Sequence, residues 1–361
     1  MRSHLQSFRS GSEDLLAFLT NTEQEAELIQ HLRRPKRLAE LQTEEQQLVA
    51  KITAARTDRK RYVYAVAIIS LYGLLERFVE ALIQAFVEQI AQLVDAYVKL
   101  PEEIRKGHLQ LSLDLTKALI EERHHRATTP EEVIRNLHSC FSGASAFRLN
   151  GAAFVLHRGN ISLKRITGFL SALGIEGHLR RVTLTPDFLS FYAAREPERD
   201  VRGVADHDLA VLLEPIDGLL QRRNQVAHGV IDDIESVDLL RDRCRFVEAY
   251  GVALYDVLAQ EVLRYEITRP GALPLGKALA VYNRKIVCFE AKNCKIAVGQ
   301  VLVAATGNAM EPFRHGPISS LQIDNVSHQQ AAIRAPTKFG VAVPYRASKD
   351  YDYYLLSAEI V

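Results

Sequence analysis

The chain has 361 residues, 47% hydrophobic and 25% charged, a composition that excludes a disorder-dominated class and leaves room for two domains. Its 45 Lys and Arg against 44 Asp and Glu give a formal charge of +1, so any nucleic-acid binding must come from local patches rather than a global field. Four cysteines, Cys140, Cys244, Cys288 and Cys294, form no C-x-x-C pair and have no histidine at zinc spacing, which reads as reduced thiols.

The opening MRSHLQSFRSGSEDLL has no apolar signal-peptide core, so a cytoplasmic chain is expected. From Ser12 to about Leu48 the pattern is charged and helical with a break at Pro35, predicting one or two amphipathic helices. The strongest helix runs from about Arg61 to Leu100. Leu71, Leu75, Phe78, Leu82, Phe86, Ile90, Leu93 and Tyr97 recur there at three- and four-residue steps, a core or dimer face. Its uncharged run, Tyr62 to Leu75, is too short to span a bilayer, so no membrane association is expected. Glu76 and Glu80 stand one turn apart on this helix. They form either an exposed polar face or, Glu76 first, a carboxylate that orients a catalytic Arg or His from a neighbouring helix.

Pro101 ends that helix, and PEEIRKG and TTPEEVIRNLHS open two more, the second with Thr129 as cap and Pro130 in its first turn. Between Phe141 and Gly159 a Gly/Ala/Ser-rich loop leads to ISLKRITGFLSALGI, a short helix closed by Gly174. Residues 193–208 read as an exposed loop, Leu209 to Ala227 as a helix, and Val237 to about Tyr265 as a last long helix capped by Ser236. From Pro270 short β-rich runs separated by Gly, Pro and Asn predict a small all-β barrel or sandwich. The expected organisation is an N-terminal helical segment at 1–60, a helical domain at 61–268 and an all-β domain at 269–361. The fold class is therefore mainly α with a β domain appended.

The chemistry-bearing stretch is Arg222-Arg223-Asn224-Gln225-Val226-Ala227-His228-Gly229, at the end of an otherwise apolar helical pattern. Arginine offers phosphate a planar fork of donors, and histidine is the side chain that titrates near neutrality. Asn224 and His228, four residues apart, share a helix face, whereas Arg223 is displaced around the cylinder and needs its long stem. The same residues also suit a plain helix C-terminus, where cations meet the negative end of the dipole and Gly229 supplies the cap.

Arg223, Asn224 and His228, an Arg, a polar residue, three further residues and a His near the end of a long helix, resemble the HEPN ribonuclease superfamily. The string from about Asn160 to Gly229, with NISLKRITGFLSALGI and then LEPIDGLLQRRNQVAHG, is similar to a bacterial HEPN subgroup in which a short helical segment precedes an RN..AHG helix. The likeness covers the helical part of the chain. It implies a helical-bundle domain acting on RNA and a two-fold dimer with both motif helices at one interface. It also implies a toxin or anti-phage effector encoded with a partner that restrains or triggers it.

The reading is a metal-independent endoribonuclease, with no cofactor and no metal. The ribose 2′-hydroxyl attacks the adjacent phosphate, His228 serves as general base or acid, and Arg223 stabilises the phosphorane-like transition state. Asn224 holds His228 or contacts phosphate, with Arg222 and Glu76 in support. Two alternatives use the same residues: a HEPN-like module that binds RNA or a nucleotide or regulates a partner, and a helical dimer whose Arg/His pair only caps a helix.

Other features are secondary. Cationic patches lie at Arg33 to Arg37, at Arg56 with Arg59 to Arg61, at Glu122 to Arg126 and at Arg180-Arg181, each read first as a solvated face. His124-His125 with Glu121 and Glu122 is a weak metal candidate, since adjacent histidines diverge on a helix. In the β region Lys285, Lys292, Lys295, Arg314, Arg334 and Lys338 stand near Tyr282, Phe289 and Phe339, an ordinary barrel surface or a single-strand binding face.

Overall fold

The computed structural model describes residues 1–122, 128–143, 146–157, 159–195, 208–231 and 233–356. His124-His125 and most of the 193–208 loop lie outside the described residues. Within the described residues, twelve α-helices precede eleven strands. The helices are α1 (Arg2–Leu32), α2 (Pro35–Glu40), α3 (Thr43–Ala54), α4 (Arg56–Leu93), α5 (Glu102–Glu122), α6 (Pro130–Phe141), α7 (Gly151–Phe154), α8 (Leu163–Ala172), α9 (His178–Thr183), α10 (Pro186–Arg195), α11 (Leu209–Ala227) and α12 (Val237–Glu266). No described helix is long and apolar enough to cross a membrane.

Local signals explain most of these boundaries. Pro35 begins α2 rather than merely interrupting a helix, and Thr129 caps α6 by accepting from the Glu132 amide at 3.2 Å. The long helix ends at Leu93, short of the expected Leu100. Ala96 turns extended there, and a short 3₁₀ turn, Tyr97–Lys99, swings Tyr97 into the interior with 6% of its surface exposed. α7 lies inside the 141–159 stretch expected to be a loop, α10 runs into the start of the expected 193–208 loop, and α9 had no expectation from sequence.

By packing, the chain forms two compact units. The first joins Met1–Ile83, Val155–Ser171 and Val182–Tyr255. Its core stacks Phe8 on Phe78 with ring centroids 4.1 Å apart, and Gly251 makes that approach feasible because a Cβ there would collide with the Phe8 ring. Phe188, Phe191, Tyr192 and Phe246 add an aromatic cluster. Leu71, Leu75, Phe78 and Leu82 are all buried, so this part of the apolar stripe is core. α11 carries Pro215 in its interior, which removes one helical donor, and the Tyr192 hydroxyl donates to the nearby Leu212 carbonyl at 2.9 Å.

The second unit joins Gln84–Phe154, Ala172–Arg181 and Asp256–Val361. Phe86, Ile90 and Tyr97 are buried in it and Leu93 is half-buried, so all but one residue of the stripe is core. A largely buried polar network holds its helices together. The His108 Nε2 accepts from the Asn150 amide at 2.9 Å, and Nδ1 faces the Tyr97 hydroxyl at 3.4 Å, which donates to the Arg105 carbonyl at 3.1 Å. The Asn150 side chain donates to Ser112 Oγ at 3.0 Å and the Val133 carbonyl at 3.1 Å, and accepts from Asn136 at 2.9 Å. A nitrogen that accepts from a backbone N–H must be unprotonated, and burial pushes the His108 pKa down to about 4.

The strands of this unit begin where the composition changes: β1 (Leu273–Lys277), β2 (Ala280–Tyr282), β3 (Ile286–Ala291), β4 (Cys294–Ala297), β5 (Val301–Ala305), β6 (Phe313–Pro317), β7 (Ser320–Ile323), β8 (Val326–His328), β9 (Gln330–Ile333), β10 (Thr337–Ala342) and β11 (Asp352–Leu355). They form antiparallel sheets in the orders β1-β11-β5-β6, β2-β3-β10-β7-β8 and β4-β9. The sheets share one core, which includes Val287, Phe289, Leu302, Leu321, Phe339, Val341 and Tyr353, but they do not close into a barrel. Asn283-Arg284 and Asp324-Asn325 both adopt positive φ, the backbone that two-residue hairpin turns require. Leu263 near the end of α12 packs with Val301, Val303, Phe313 and Leu356.

Candidate functional site

The motif helix α11 begins with Asp208, whose side chain accepts from the Ala210 amide at 2.9 Å, and ends with His228 as its C-cap. Gly229 follows at φ +75°, with its amide donating to Val226 at 3.0 Å and the Val230 amide to Gln225 at 2.9 Å. This pair of bonds is the Schellman arrangement, for which the glycine supplies the left-handed residue. His228 is therefore fixed by backbone while its side chain stands exposed, and it has no side-chain partner among the described residues.

The two adjacent arginines face different surroundings. Arg222 is held by carboxylates, with Nε 3.1 Å from Glu235, Nη2 3.6 Å from Asp233 and Nη1 donating to the Tyr64 hydroxyl at 3.0 Å. Glu235, its side chain only 6% exposed, also receives a bidentate pair from Arg243 at 2.6 and 2.7 Å. Arg223 meets no carboxylate among the described residues. Its guanidinium lies over the Tyr72 ring, 5.4 Å from the centroid, and Nη1 donates to Asn224 Oδ1 at 3.2 Å. The remainder of the fork has no partner among the described residues, in the half-buried setting suited to a phosphate.

Asn224 Oδ1 also accepts from Asn160 Nδ2 at 2.7 Å. Two donors on one oxygen assign the amide orientation and turn the Asn224 Nδ2 hydrogens away, where they have no partner among the described residues. Glu76 reaches this group through Tyr72: its Oε1 accepts from the Tyr72 hydroxyl at 2.9 Å, and that oxygen accepts from the Ile161 amide at 2.6 Å. Burial, reinforced by Glu76, raises the Tyr72 pKa well above its ordinary value, so the ring remains a neutral platform under Arg223. Glu80, one turn further along α4, pairs with His157 at 2.8 Å.

The structure thus brings together Arg223, Asn224 and, through Tyr72, Glu76. It puts His228 one turn from Asn224, their backbones joined by a bond of 3.0 Å, and commits Arg222 to carboxylates. Tyr72, Asn160 and His157 had no role assigned from sequence. Asn160 opens the NISLKRITGFLSALGI string and Tyr72 stands one turn before Glu76, the signals that could have found them.

Other proposed patches are scaffold in part. Arg181 is buried against Glu261 and the Val257 carbonyl, Arg37 pairs with Glu40 and Arg59 with Glu25. In the β region Phe289 and Phe339 are core residues and cannot stack on a base, while Arg314 pairs with Glu311. Cys140 and Cys244 are buried free thiols that burial raises to about 11 and about 12.

Comparison with curated proteins gave no match. The family description RiboL-PSP-HEPN, in contrast, matches residues 32–260, a stretch that contains Tyr72, Asn160, the motif helix and most of the helical region. With more than half of its length matched, the chain belongs to the RiboL-PSP-HEPN family, a HEPN group whose members are typically ribonucleases.

Proposed function

We propose that this chain is a metal-independent endoribonuclease. The single observation that carries the reading is the sorting of two neighbouring arginines: Arg222 is consumed by Glu235, whereas Arg223 meets no carboxylate among the described residues and adjoins Asn224, whose amide nitrogen has no partner there, one turn before the exposed His228. In the reaction the 2′-oxygen of RNA attacks the adjacent phosphorus and the 5′-oxygen leaves. A proton is removed from the first oxygen and delivered to the second, leaving a cyclic phosphate and a 5′-hydroxyl. His228 acts at one of these oxygens, and Arg223 with the Asn224 amide holds the phosphate as charge builds on it. Glu76 acts at one remove, by holding Tyr72 beneath Arg223.

A single motif histidine per chain supplies one acid or one base, and on this reading a second copy in a homodimer supplies the other. The apolar stripe of α4 lends that dimer no support, because it is spent on the chain's own core. A role as a toxin or anti-phage effector with a co-encoded partner accords with the family resemblance, and the β region at 269–361 is then the part that recognises substrate or partner.

Purified protein is expected to cut RNA in EDTA and to leave cyclic-phosphate and 5′-hydroxyl ends. His228→Ala should lower the rate about a hundredfold or more with no change in melting temperature. Strict dependence on added divalent metal, or full activity of His228→Ala, defeats the proposal; RNA binding without cleavage by the wild type would identify a binding module instead.

A further inference from the structure

The stretch 159–163, which leads into α8, is tied down at three points. Asn160 donates to Asn224, the Ile161 amide to Tyr72, and the Leu163 amide to Asp217 Oδ1 at 2.8 Å. Asp217 and Asn224 are two helical turns apart on one face of α11, so the stretch lies along that helix as a strap. Ahead of it stands His157, its side chain 11% exposed. One ring nitrogen is 2.8 Å from Glu80 Oε1 and the other 2.5 Å from the Gly159 carbonyl, while the ring packs near Phe169 at 5.8 Å. Both nitrogens are occupied by acceptors, so His157 has none to offer a substrate. Its role is to hold the strap.

What the strap controls is the Asn224 amide. With Asn160 donating, the Asn224 oxygen is turned toward Asn160 and Arg223 and the nitrogen is left for an anion. Without that donor a single 3.2 Å bond from Arg223 remains, and a flipped amide would present oxygen to a phosphate. We propose that Asn160, Tyr72 and the His157–Glu80 pair are positioning residues that hold Arg223 and Asn224 in phosphate-binding orientation. This rests on the nuclease reading for its reaction, but not for its binding chemistry.

The test uses the full chain and two readouts: cleavage of an RNA oligonucleotide in EDTA, and affinity for the same oligonucleotide with a 2′-deoxy residue at the cut site. Asn160→Ala and His157→Phe should each weaken affinity and lower kcat/KM about tenfold at unchanged melting temperature. Glu80→Leu should do the same, and Glu80→Gln, which keeps an acceptor for His157, should recover most of the loss. Wild-type affinity and kcat/KM in Asn160→Ala, or losses that only track melting temperature, overturn the proposal. If the wild type binds the oligonucleotide but never cleaves RNA, the nuclease reading fails alone and the affinities still decide the positioning role. If it does neither, both fall.

Discussion

Two polar clusters of this protein use the same residue types and differ in what they leave over. Around His108 and Asn150 each hydrogen-bonding side-chain group has a partner inside the protein, and both residues are buried. Around Arg223, Asn224 and His228 a partly exposed guanidinium, an amide nitrogen and an imidazole remain unsatisfied among the described residues. A closed network gains nothing from a ligand, whereas an open one with oriented donors is poised for an anion. On the ribonuclease reading, that difference marks the first cluster as scaffold and the second as the proposed site.

The sharpest way to break this contrast is to open the closed cluster. Asn150→Ala removes the partner of buried Ser112 and the bonds to the Val133 carbonyl and half-buried Asn136, and should cost about 3 kcal/mol in chemical denaturation. The surviving folded protein should keep its RNA affinity. A loss below about 1 kcal/mol would mean that the network is not structural.

Acid tests the same cluster more gently. His108 is neutral in the folded chain down to about pH 4, while the unfolded chain takes up its proton near pH 6.5. The unfolded state therefore binds more protons in that window, and stability falls as the pH drops from about 6.5 to about 4, by at most about 3 kcal/mol. His108→Gln should flatten that part of the pH profile. An unchanged slope would assign it to other groups.

The smallest effects divide the adjacent arginines. Arg222→Ala leaves the nearly buried Glu235 with Arg243 alone and should cost about 2 kcal/mol of stability. Arg223→Lys should leave stability within about 0.5 kcal/mol but lower RNA cleavage about tenfold, because charge survives and the planar fork does not. Equal cleavage by Arg223→Lys and wild type would remove Arg223 as the phosphate clamp.

Much of the fold could be read locally. The bounds of α11 follow from an apolar period that stops at a glycine, and the passage from helix to strand near Pro270 follows from a change in period. The end of α4 could not, since no proline or glycine marks Leu93; burial of Tyr97 decides it. At the site the spacing of Arg223, Asn224 and His228 was visible, but the division of labour between Arg222 and Arg223 depends on Glu235, on another segment. Tyr72 lay unremarked inside the uncharged run Tyr62 to Leu75, because its amide partner lies 89 residues away.

Those separations also order events in time. The bonds that build the site span 64 residues from Asn160 to Asn224, 89 from Tyr72 to Ile161 and 158 from Tyr64 to Arg222. No N-terminal fragment that stops before Asn224 contains the pair proposed to bind phosphate, however well its own helices fold. On the ribonuclease reading, the growing chain is harmless to the ribosome and messenger that produce it until Asn224 and His228 have been made, and translation itself delays the moment at which RNA meets a finished site.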